Sequence, residues 1–255
     1  SSATKVKGQG VGSAYIEQVN LVREGLADKF DVYENARMKA DITHYHTINL
    51  GYYLGRKSKT KNGRSVGYVH MLPETVETSL NLPKFAKKIF YSYMIKFYDS
   101  MEYLVTVNPY FIGRLEHYGV NRDKVTYIPN YVSSEQFHPV SPEEKAALRE
   151  KYGIPKDGFV AVCAGQLQVR KGFFDFVKIA EQMPDVTFAW AGGFSFGAIT
   201  DGYKEINKIM ENPPKNLKLL GMIDREKMNE IYNIGDVMFL PSFEELFPMT
   251  ILEAM

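Results

Sequence analysis

Cysteine is nearly missing: Cys163 is the only one in 255 residues. A single thiol forms no internal disulfide framework, and its scarcity fits a reducing compartment. Net charge is nearly missing too, with 31 basic residues against 30 acidic ones. That balance argues against wholesale wrapping of nucleic acid, although it permits a local basic patch. The bases form no sustained stripe outside one helix, so no nucleic-acid partner is expected. No stretch is long and apolar enough to span a bilayer, and the opening SSATKVKG has no signal-peptide pattern. These absences leave open a cytoplasmic chain that lies on a membrane surface. Tryptophan occurs once, but there are 17 Tyr and 16 Phe. Excess Tyr suits an interfacial protein, and it suits a Tyr-rich core equally well. Hydrophobic residues make up 45% and charged residues 24%, the composition of an ordered chain. Its length allows one large core or two modest ones.

Apolar periodicity divides the chain into alternating strands and helices. The opening glycine loop ends in GQGVG, and a helix is expected over Ala14 to Leu26. DKFDVYEN, DITHYHTI and RSVGYVHMLPE read as strands, the last running into His70 and a proline turn. A long helical pattern covers Pro83 to Tyr103. MEYLVTVNP reads as a strand, FIGRLEHYG as a helix closed by Gly119, and KVTYIPNYV as a strand entering a loop. A Ser- and Pro-containing linker at Ser133 to Pro142 follows, and the pattern then restarts. PEEKAALREKYGI, FFDFVKIAEQM, YKEINKIM and REKMNEIYNIG are the helices of the second half. FVAVCAGQ, VTFAWAGG, LKLLG and DVMFLPS are its strands. Strands alternating with helices imply parallel sheets covered on both faces. The expected fold is α/β, with a domain over 1–137 and a second over 138–255. The chain opens in a loop and stops in a helical pattern, TILEAM, so both sheets are expected to be incomplete.

Two stretches of the second half carry chemistry. Gly165 to Gly172 reads GQLQVRKG and follows a buried-looking strand. Ligands of doubly wound folds sit beyond the carboxyl ends of the strands. A glycine turn entering a helix offers N–H groups and a positive helix end to an anion, and Arg170 and Lys171 add charge. A diphosphate suits this spot, although a loop with two solvent-facing bases would read the same way. EELFPMTILE places Glu245 near a loop and Glu253 on the helix behind it. Carboxylates accept several hydrogen bonds and suit hydroxyl-rich ligands. Ordinary surface glutamates are the other reading.

Together these motifs resemble the retaining glycosyltransferases of family 4, which have the two-domain GT-B architecture. GQLQVRKG matches the family's G-R-x-x-x-x-K-G loop, and Glu245 and Glu253 match its E-x7-E. WAGG, LKLLGMIDREKMNEIYNIGDVMFLPS and FPMTILEA match the surroundings, most strongly from Val160 onward. The resemblance implies two doubly wound domains facing a cleft. It also implies that Lys171 binds the donor diphosphate, Glu253 the ribose hydroxyls and Glu245 the donor sugar. Gly165, Gln166 and Arg170 complete the expected donor loop. Gln166 departs from the pattern, standing where the family has Arg, and it brings no charge. The implied donor is a UDP-hexose, with UDP-glucose the expected one. No metal or other cofactor is expected, because the positive loop and helix end neutralise the leaving diphosphate.

In the first half, Gly10 and Gly12 lie in a glycine loop that lets backbone approach a ligand. Without context it reads equally as a surface turn, and the resemblance places it near the donor phosphates. His70 ends a strand, where site residues gather, and is also readable as a structural hydrogen-bonding histidine. The resemblance gives it contact with the donor sugar and makes His70, Lys171 and Glu245 the expected catalytic set. His44 and His46 match a common histidine-containing strand end. Asn108 and Asn130 match cleft-loop positions or are turn-forming Asn residues. The histidines show no metal-ligand spacing.

The acceptor is read from PKFAKKIFYSYMIKFYDSMEYL. Lys84, Lys87 and Lys88 share a helical side, flanked by Phe85, Phe90 and Phe97. Bases beside large aromatics suit docking on anionic lipid, each Lys contributing about 1 kcal/mol. A helix covering a sheet also has an apolar strip and a lysine-rich outer face. This region, with HMLPET and GGFSFGAITDGYKE, resembles the subgroup that glycosylates diacylglycerol lipids in Gram-positive bacteria. It implies a hexosyltransferase on the inner face of the plasma membrane. Its partners would be a nucleotide sugar, an anionic membrane surface and an acceptor such as diacylglycerol or monoglycosyl-diacylglycerol. A transferase of capsule, cell-wall or soluble glycans, and a noncatalytic sugar-nucleotide-binding or assembly protein, are the alternatives.

Overall fold

The computed structural model describes residues 10–36, 38–55, 63–77, 83–194, 197 and 200–255. They divide into two compact units, one over 11–77 and 83–131, the other over 132–255.

The first unit runs α1 (Gly10–Gly25), β1 (Ile42–Tyr45), α2 (Leu50–Gly55), β2 (Arg64–Val69), α3 (Pro73–Glu77), α4 (Lys84–Asp99), β3 (Tyr103–Thr106), α5 (Tyr110–His117) and β4 (Val125–Tyr127). Its four strands are all parallel, in the order β1-β2-β3-β4. Leu104 of β3 and Val69 of β2 are fully buried, and Met94, Phe97 and Tyr98 of α4 pack into the same core. The Tyr98 hydroxyl, sealed in this core, donates to the Met71 carbonyl at 3.0 Å. Gly119 closes α5 at φ +86°, a conformation L side chains avoid.

Two local expectations change here. DKFDVYEN forms no strand: Asp28 to Asn35 is turn and irregular chain. Its alternation runs only from Lys29 to Val32, and Glu34 is held by side chains of α1 rather than by a neighbouring strand. Its carboxylate accepts from Tyr15 Oη at 2.8 Å and from Arg23 Nη2 at 2.7 Å. The glycine loop also differs. α1 already begins at Gly10, and Gly12 is buried inside it, while residues 1–9 lie outside the described residues.

The second unit runs α6 (Pro142–Lys151), β5 (Phe159–Ala164), α7 (Phe173–Gln182), β6 (Val186–Ala191), α8 (Tyr203–Glu211), β7 (Leu217–Gly221), α9 (Met228–Ile234), β8 (Val237–Met238) and α10 (Met249–Ala254). Ser141 caps α6, its hydroxyl accepting from the Glu144 N–H at 3.2 Å. The sheet is parallel in the order β7-β6-β5-β8. From β5 the chain steps outward through β6 to β7, then returns to β8 on the other side of β5. That reversal makes the β5–β8 edge the topological switch point, where doubly wound sheets bind ligands at the strands' carboxyl ends. DVMFLPS supplies only Val237 and Met238 to β8, because the proline at 241 and the turn beyond it leave the ladder.

An aromatic cluster fills one face of this sheet. Trp190 is fully buried, with Phe173 and Phe176 edge-on at 5.2 and 5.1 Å, and Phe188 meets Phe176 at 5.2 Å. Each such pair adds about 0.5–1.5 kcal/mol beyond its buried area. On the other side, Asp236 joins α6 to the start of β5. Its carboxylate accepts from Lys145 Nζ at 2.7 Å, Arg149 Nη2 at 2.7 Å and the Val160 N–H at 2.8 Å. Burial alone would raise the Asp236 pKa, but these donors win and hold it below the ordinary aspartate value.

Arg149 is buried, so removing its counter-charge is costly. Asp236→Asn is expected to lower stability by about 2 kcal/mol in urea unfolding at neutral pH. A carboxyl with a depressed folded pKa stabilises above its unfolded value, about 3.9, and less as pH falls through the folded one. The difference between variant and wild type should therefore shrink below about pH 4. A difference that stays constant down to pH 2 would contradict this assignment.

Candidate active site

In the second unit, the site is assembled by the loops leaving β5 and β8. Trp190 Nε1 donates to the Gly165 carbonyl at 2.9 Å, and the Gly165 N–H donates to the Ala191 carbonyl at 2.9 Å. Gly192 is required beside it: at φ +148°, any Cβ there would lie 1.8 Å from the Gly165 oxygen. The core tryptophan and the glycine pair after β6 thus hold the start of the GQLQVRKG loop. Gln166 and Gln168 are buried, and Gln168 Nε2 donates to Gln166 Oε1 at 2.6 Å. A short 3-10 turn, Val169–Lys171, then leads through Gly172 into α7.

This turn and the chain after β8 lie against each other residue by residue. Gly172 adopts φ +72°, and a Cβ there would sit 2.1 Å from the Pro241 carbonyl oxygen. The Phe243 N–H donates to the Arg170 carbonyl at 3.0 Å. Arg170 Nη1 donates to the Glu244 carbonyl at 2.6 Å. Lys171 Nζ meets Glu245 Oε1 at 2.5 Å. Arg170 therefore ties the Glu244 loop down through one nitrogen of its guanidinium. Lys171 is mostly buried, and burial lowers its pKa although Glu245 pulls the other way.

Glu253, on α10, is buried and engaged at both oxygens. Arg225 Nη1 donates to Oε1 at 2.7 Å and the Tyr232 hydroxyl to Oε2 at 2.6 Å. The Arg225 guanidinium also lies over the Phe137 ring, 5.3 Å from its centroid. Burial first, then the Glu253 charge, raises the Tyr232 pKa well above its ordinary value. Sequence reasoning passed over Arg225 and Tyr232. The available signal was a tyrosine on the buried side of α9, since a buried Tyr hydroxyl requires an acceptor.

In the first unit, the strand ends gather imidazoles and phenols. His46 follows β1 and His70 follows β2, both buried. The His46 ring stacks on Tyr68 at 4.4 Å with an interplanar angle of 11°, and Tyr15 approaches it edge-on at 4.9 Å. His70 Nε2 lies 3.4 Å from His46 Nδ1. Gln18 Nε2 donates to the Tyr68 hydroxyl from α1. Burial pushes the His70 pKa down to about 4. Burial, with the neighbouring His70 and His44, pushes His46 down to about 2. Both rings are therefore neutral at physiological pH, where each keeps one donor and one acceptor nitrogen. His44 stays on β1, 5.8 Å from the Tyr68 ring. Asn108, after β3, accepts from the Tyr110 N–H through Oδ1 at 3.0 Å, as a turn-forming Asn does. Among the described residues, no three His, Cys, Asp or Glu side chains are placed to hold a metal ion.

The expected docking residues separate along α4. Lys84, Phe85 and Lys88 are exposed, and Lys87 and Phe90 are half-buried. Phe97 is in the core at 1% exposure, so it faces no membrane. The apolar strip of α4 is thus shared between sheet and solvent. No helix among the described residues is long and apolar enough to cross a membrane.

Known proteins resemble the chain in sequence and fold. Residues 6–136 match the Glycosyltransferase Family 4 model, and 144–255 match the Glycosyl transferases group 1 model. HepE of Anabaena, solved with UDP-glucose, superposes on 97% of the chain with TM-score 0.67 and 15% identity. WaaG, a glycosyltransferase involved in lipopolysaccharide biosynthesis, gives TM-score 0.67 over 97% of the chain at 13% identity. The chain spans 62% of that HepE structure and 75% of WaaG. Two Rossmann-like units of this kind are the GT-B architecture of retaining glycosyltransferases. Among curated proteins, the alpha-galactosylglucosyldiacylglycerol synthase of Streptococcus pneumoniae is 52% identical over the whole chain, which covers 68% of it. The processive diacylglycerol alpha-glucosyltransferase of Acholeplasma laidlawii is 25% identical over 98% of the chain, which covers 72% of that protein. The chain belongs to glycosyltransferase family 4.

The histidine assignment has a direct spectroscopic check. In full-length protein, the His46 and His70 ring signals should keep their neutral-form NMR shifts from pH 8 to pH 5. A midpoint near 6.5 for either ring would contradict its burial as described.

Proposed function

We propose that the protein transfers galactose from UDP-galactose to a glucosyldiacylglycerol, retaining the anomeric configuration. The observation that carries this reading is the 52% identity, over the whole chain, to a synthase of alpha-galactosylglucosyldiacylglycerol. A UDP-hexose is α-linked, so an α-linked product requires net retention. The name of that relative's product favours galactose over the glucose expected from the motifs.

Each charged group of the donor loops then has work to do. Lys171 and the N-terminal end of α7 receive the diphosphate, Glu245 accepts from donor-sugar hydroxyls, and Glu253 accepts from the ribose. Arg225 and Tyr232 hold Glu253 in place, and each oxygen keeps lone pairs for a diol. Gln166 adds an uncharged hydrogen-bonding group beside the loop. Gly165 lets ligand and backbone approach closely. His70, neutral, hydrogen-bonds a sugar hydroxyl and is not a general base. The anomeric C–O bond to the β-phosphate breaks while the acceptor oxygen bonds the same carbon on the same face. The acceptor's proton passes to the leaving phosphate, whose growing charge is met by Lys171.

The acceptor lies in a bilayer, and Lys84, Phe85 and Lys88 of α4 suit its surface. A basic, aromatic helix end favours an anionic leaflet, about 1 kcal/mol per Lys. The protein then works as a peripheral enzyme on the cytoplasmic face of the plasma membrane, where nucleotide sugars are available.

Full-length protein should be offered UDP-galactose, UDP-glucose and UDP-N-acetylglucosamine. Acceptors should be liposomal diacylglycerol, liposomal glucosyldiacylglycerol and soluble sugars. An α-galactosylated glucosyldiacylglycerol is the expected product. Transfer to soluble sugars alone would contradict the lipid acceptor. Trp190 offers a binding signal without turnover, because it is the sole tryptophan in this chain and hydrogen-bonds the donor loop. UDP is expected to change its emission; an unchanged spectrum at saturating UDP would place the donor elsewhere.

A further inference from the structure

We infer that His46 is a positioning residue: it accepts the Nε2–H of His70, so that His70 meets a donor-sugar hydroxyl through Nδ1, as an acceptor. This rests on the reading that His70 contacts the donor sugar. The motifs single out His70, and its pairing with His46 enters from the structure.

β1 and β2 are neighbours in register, with Tyr45 opposite Gly67. Just past that pair, the rings of Tyr68, His46 and His70 lie nearly parallel, at interplanar angles between 11° and 27°. His70 Nε2 faces His46 Nδ1 at 3.4 Å. That is long for a hydrogen bond. It is still too close for both nitrogens to carry protons, because the two hydrogens would collide. Both imidazoles are neutral, so each has one N–H to place. The rings around His46 are themselves held. Tyr68 covers one face of it, and the Tyr68 hydroxyl accepts from Gln18 Nε2. Tyr15 meets it edge-on, and the Tyr15 hydroxyl donates to Glu34 Oε2 at 2.8 Å.

Two proton arrangements fit this pair. With the shared proton on His46 Nδ1, both rings are Nδ1–H tautomers, and His70 offers an N–H outward. With the proton on His70 Nε2, both rings are Nε2–H tautomers, and His70 offers the Nδ1 lone pair. Neutral histidine intrinsically favours the Nε2–H form, so the second arrangement suits both rings and the first suits neither. The hydrogen bond at one ring nitrogen thus fixes what the other nitrogen can do. Among the described residues, His70 Nδ1 has no hydrogen-bond partner. A sugar hydroxyl is a donor that fits it. Without His46, the His70 ring is free to exchange tautomers and to turn its nitrogens round.

Nitrogen NMR of full-length protein carrying isotope-labelled histidine tests the pair. In unliganded wild type, His70 is expected as a single Nε2–H tautomer whose N–H is protected from solvent exchange. His46→Phe keeps a ring on Tyr68 and should lose that protection. His46→Asn, whose amide oxygen stands near the Nδ1 position, should restore it in part. Calorimetry should follow the same order. His46→Phe should weaken UDP-galactose about three- to tenfold, the loss of one neutral hydrogen bond, and leave UDP unchanged. His46→Asn should recover part of that loss. An Nδ1–H tautomer for His70 in wild type would overturn the proposal, and that spectrum needs no variant to fold. Persistent protection in His46→Phe, or equal weakening of UDP and UDP-galactose, would also overturn it and leave His46 a packing role only. His70→Phe decides the underlying reading separately: unchanged UDP-galactose binding in that variant would overturn the sugar contact, whichever tautomer wild type shows.

Discussion

The chemistry of the second unit depends on one backbone contact: the chain from Pro241 to Glu245 lying against Arg170 to Gly172. Only glycine at 172 permits it, because a Cβ would overlap the Pro241 carbonyl. Once the two runs touch, the rest is set in order. Arg170 is used on the Glu244 carbonyl, and its own carbonyl takes the Phe243 N–H. The next residues, Lys171 and Glu245, then meet as an ion pair. The contact sits at the β5–β8 edge because the chain reverses its direction across the sheet there. Topology brings the loops together, the missing side chain lets them close, and the charge pair follows.

Lys171 and Glu245 neutralise each other in a mostly buried place, where removing either partner costs about 3–5 kcal/mol. On the proposed function, a nucleotide sugar resolves that dependence, bringing a diphosphate for the lysine and hydroxyls for the glutamate. Glu253 has its own cation, Arg225, and a phenol beside it. Both family glutamates therefore belong to small charge-balanced groups. The first unit treats its polar residues differently: stacked, buried rings with no charge at neutral pH.

Much of this was legible from spacing. Strand–helix alternation gave the two parallel α/β halves. The eight-residue glycine loop and the E-x7-E pair led to Lys171, Glu245 and Glu253 and to the family. What stayed hidden was pairing across loops. Nothing in the order of residues says that Arg170 turns to a carbonyl, that Trp190 reaches Gly165, or that Arg225 and Tyr232 converge on Glu253. Burial along one helix was hidden for the same reason, since the α4 strip looks continuous until α2 covers part of it. That covering helix, LGYYLG, is too short for a periodicity to reveal it. DKFDVYEN looked like a strand because alternation is local, whereas a strand needs a neighbour with a register for it.

On the proposed function, a diphosphate takes Lys171 from Glu245. The direct test is calorimetry of UDP and UDP-galactose binding to full-length wild type, Lys171→Gln and Glu245→Gln, with thermal melts confirming folding. Lys171→Gln should weaken both ligands by about tenfold or more, the loss of a charge-assisted contact. Glu245→Gln should weaken UDP-galactose but leave UDP unchanged or tighter, because UDP has no sugar and no longer competes with a carboxylate for the lysine. Equal weakening of UDP by both variants would contradict the claim.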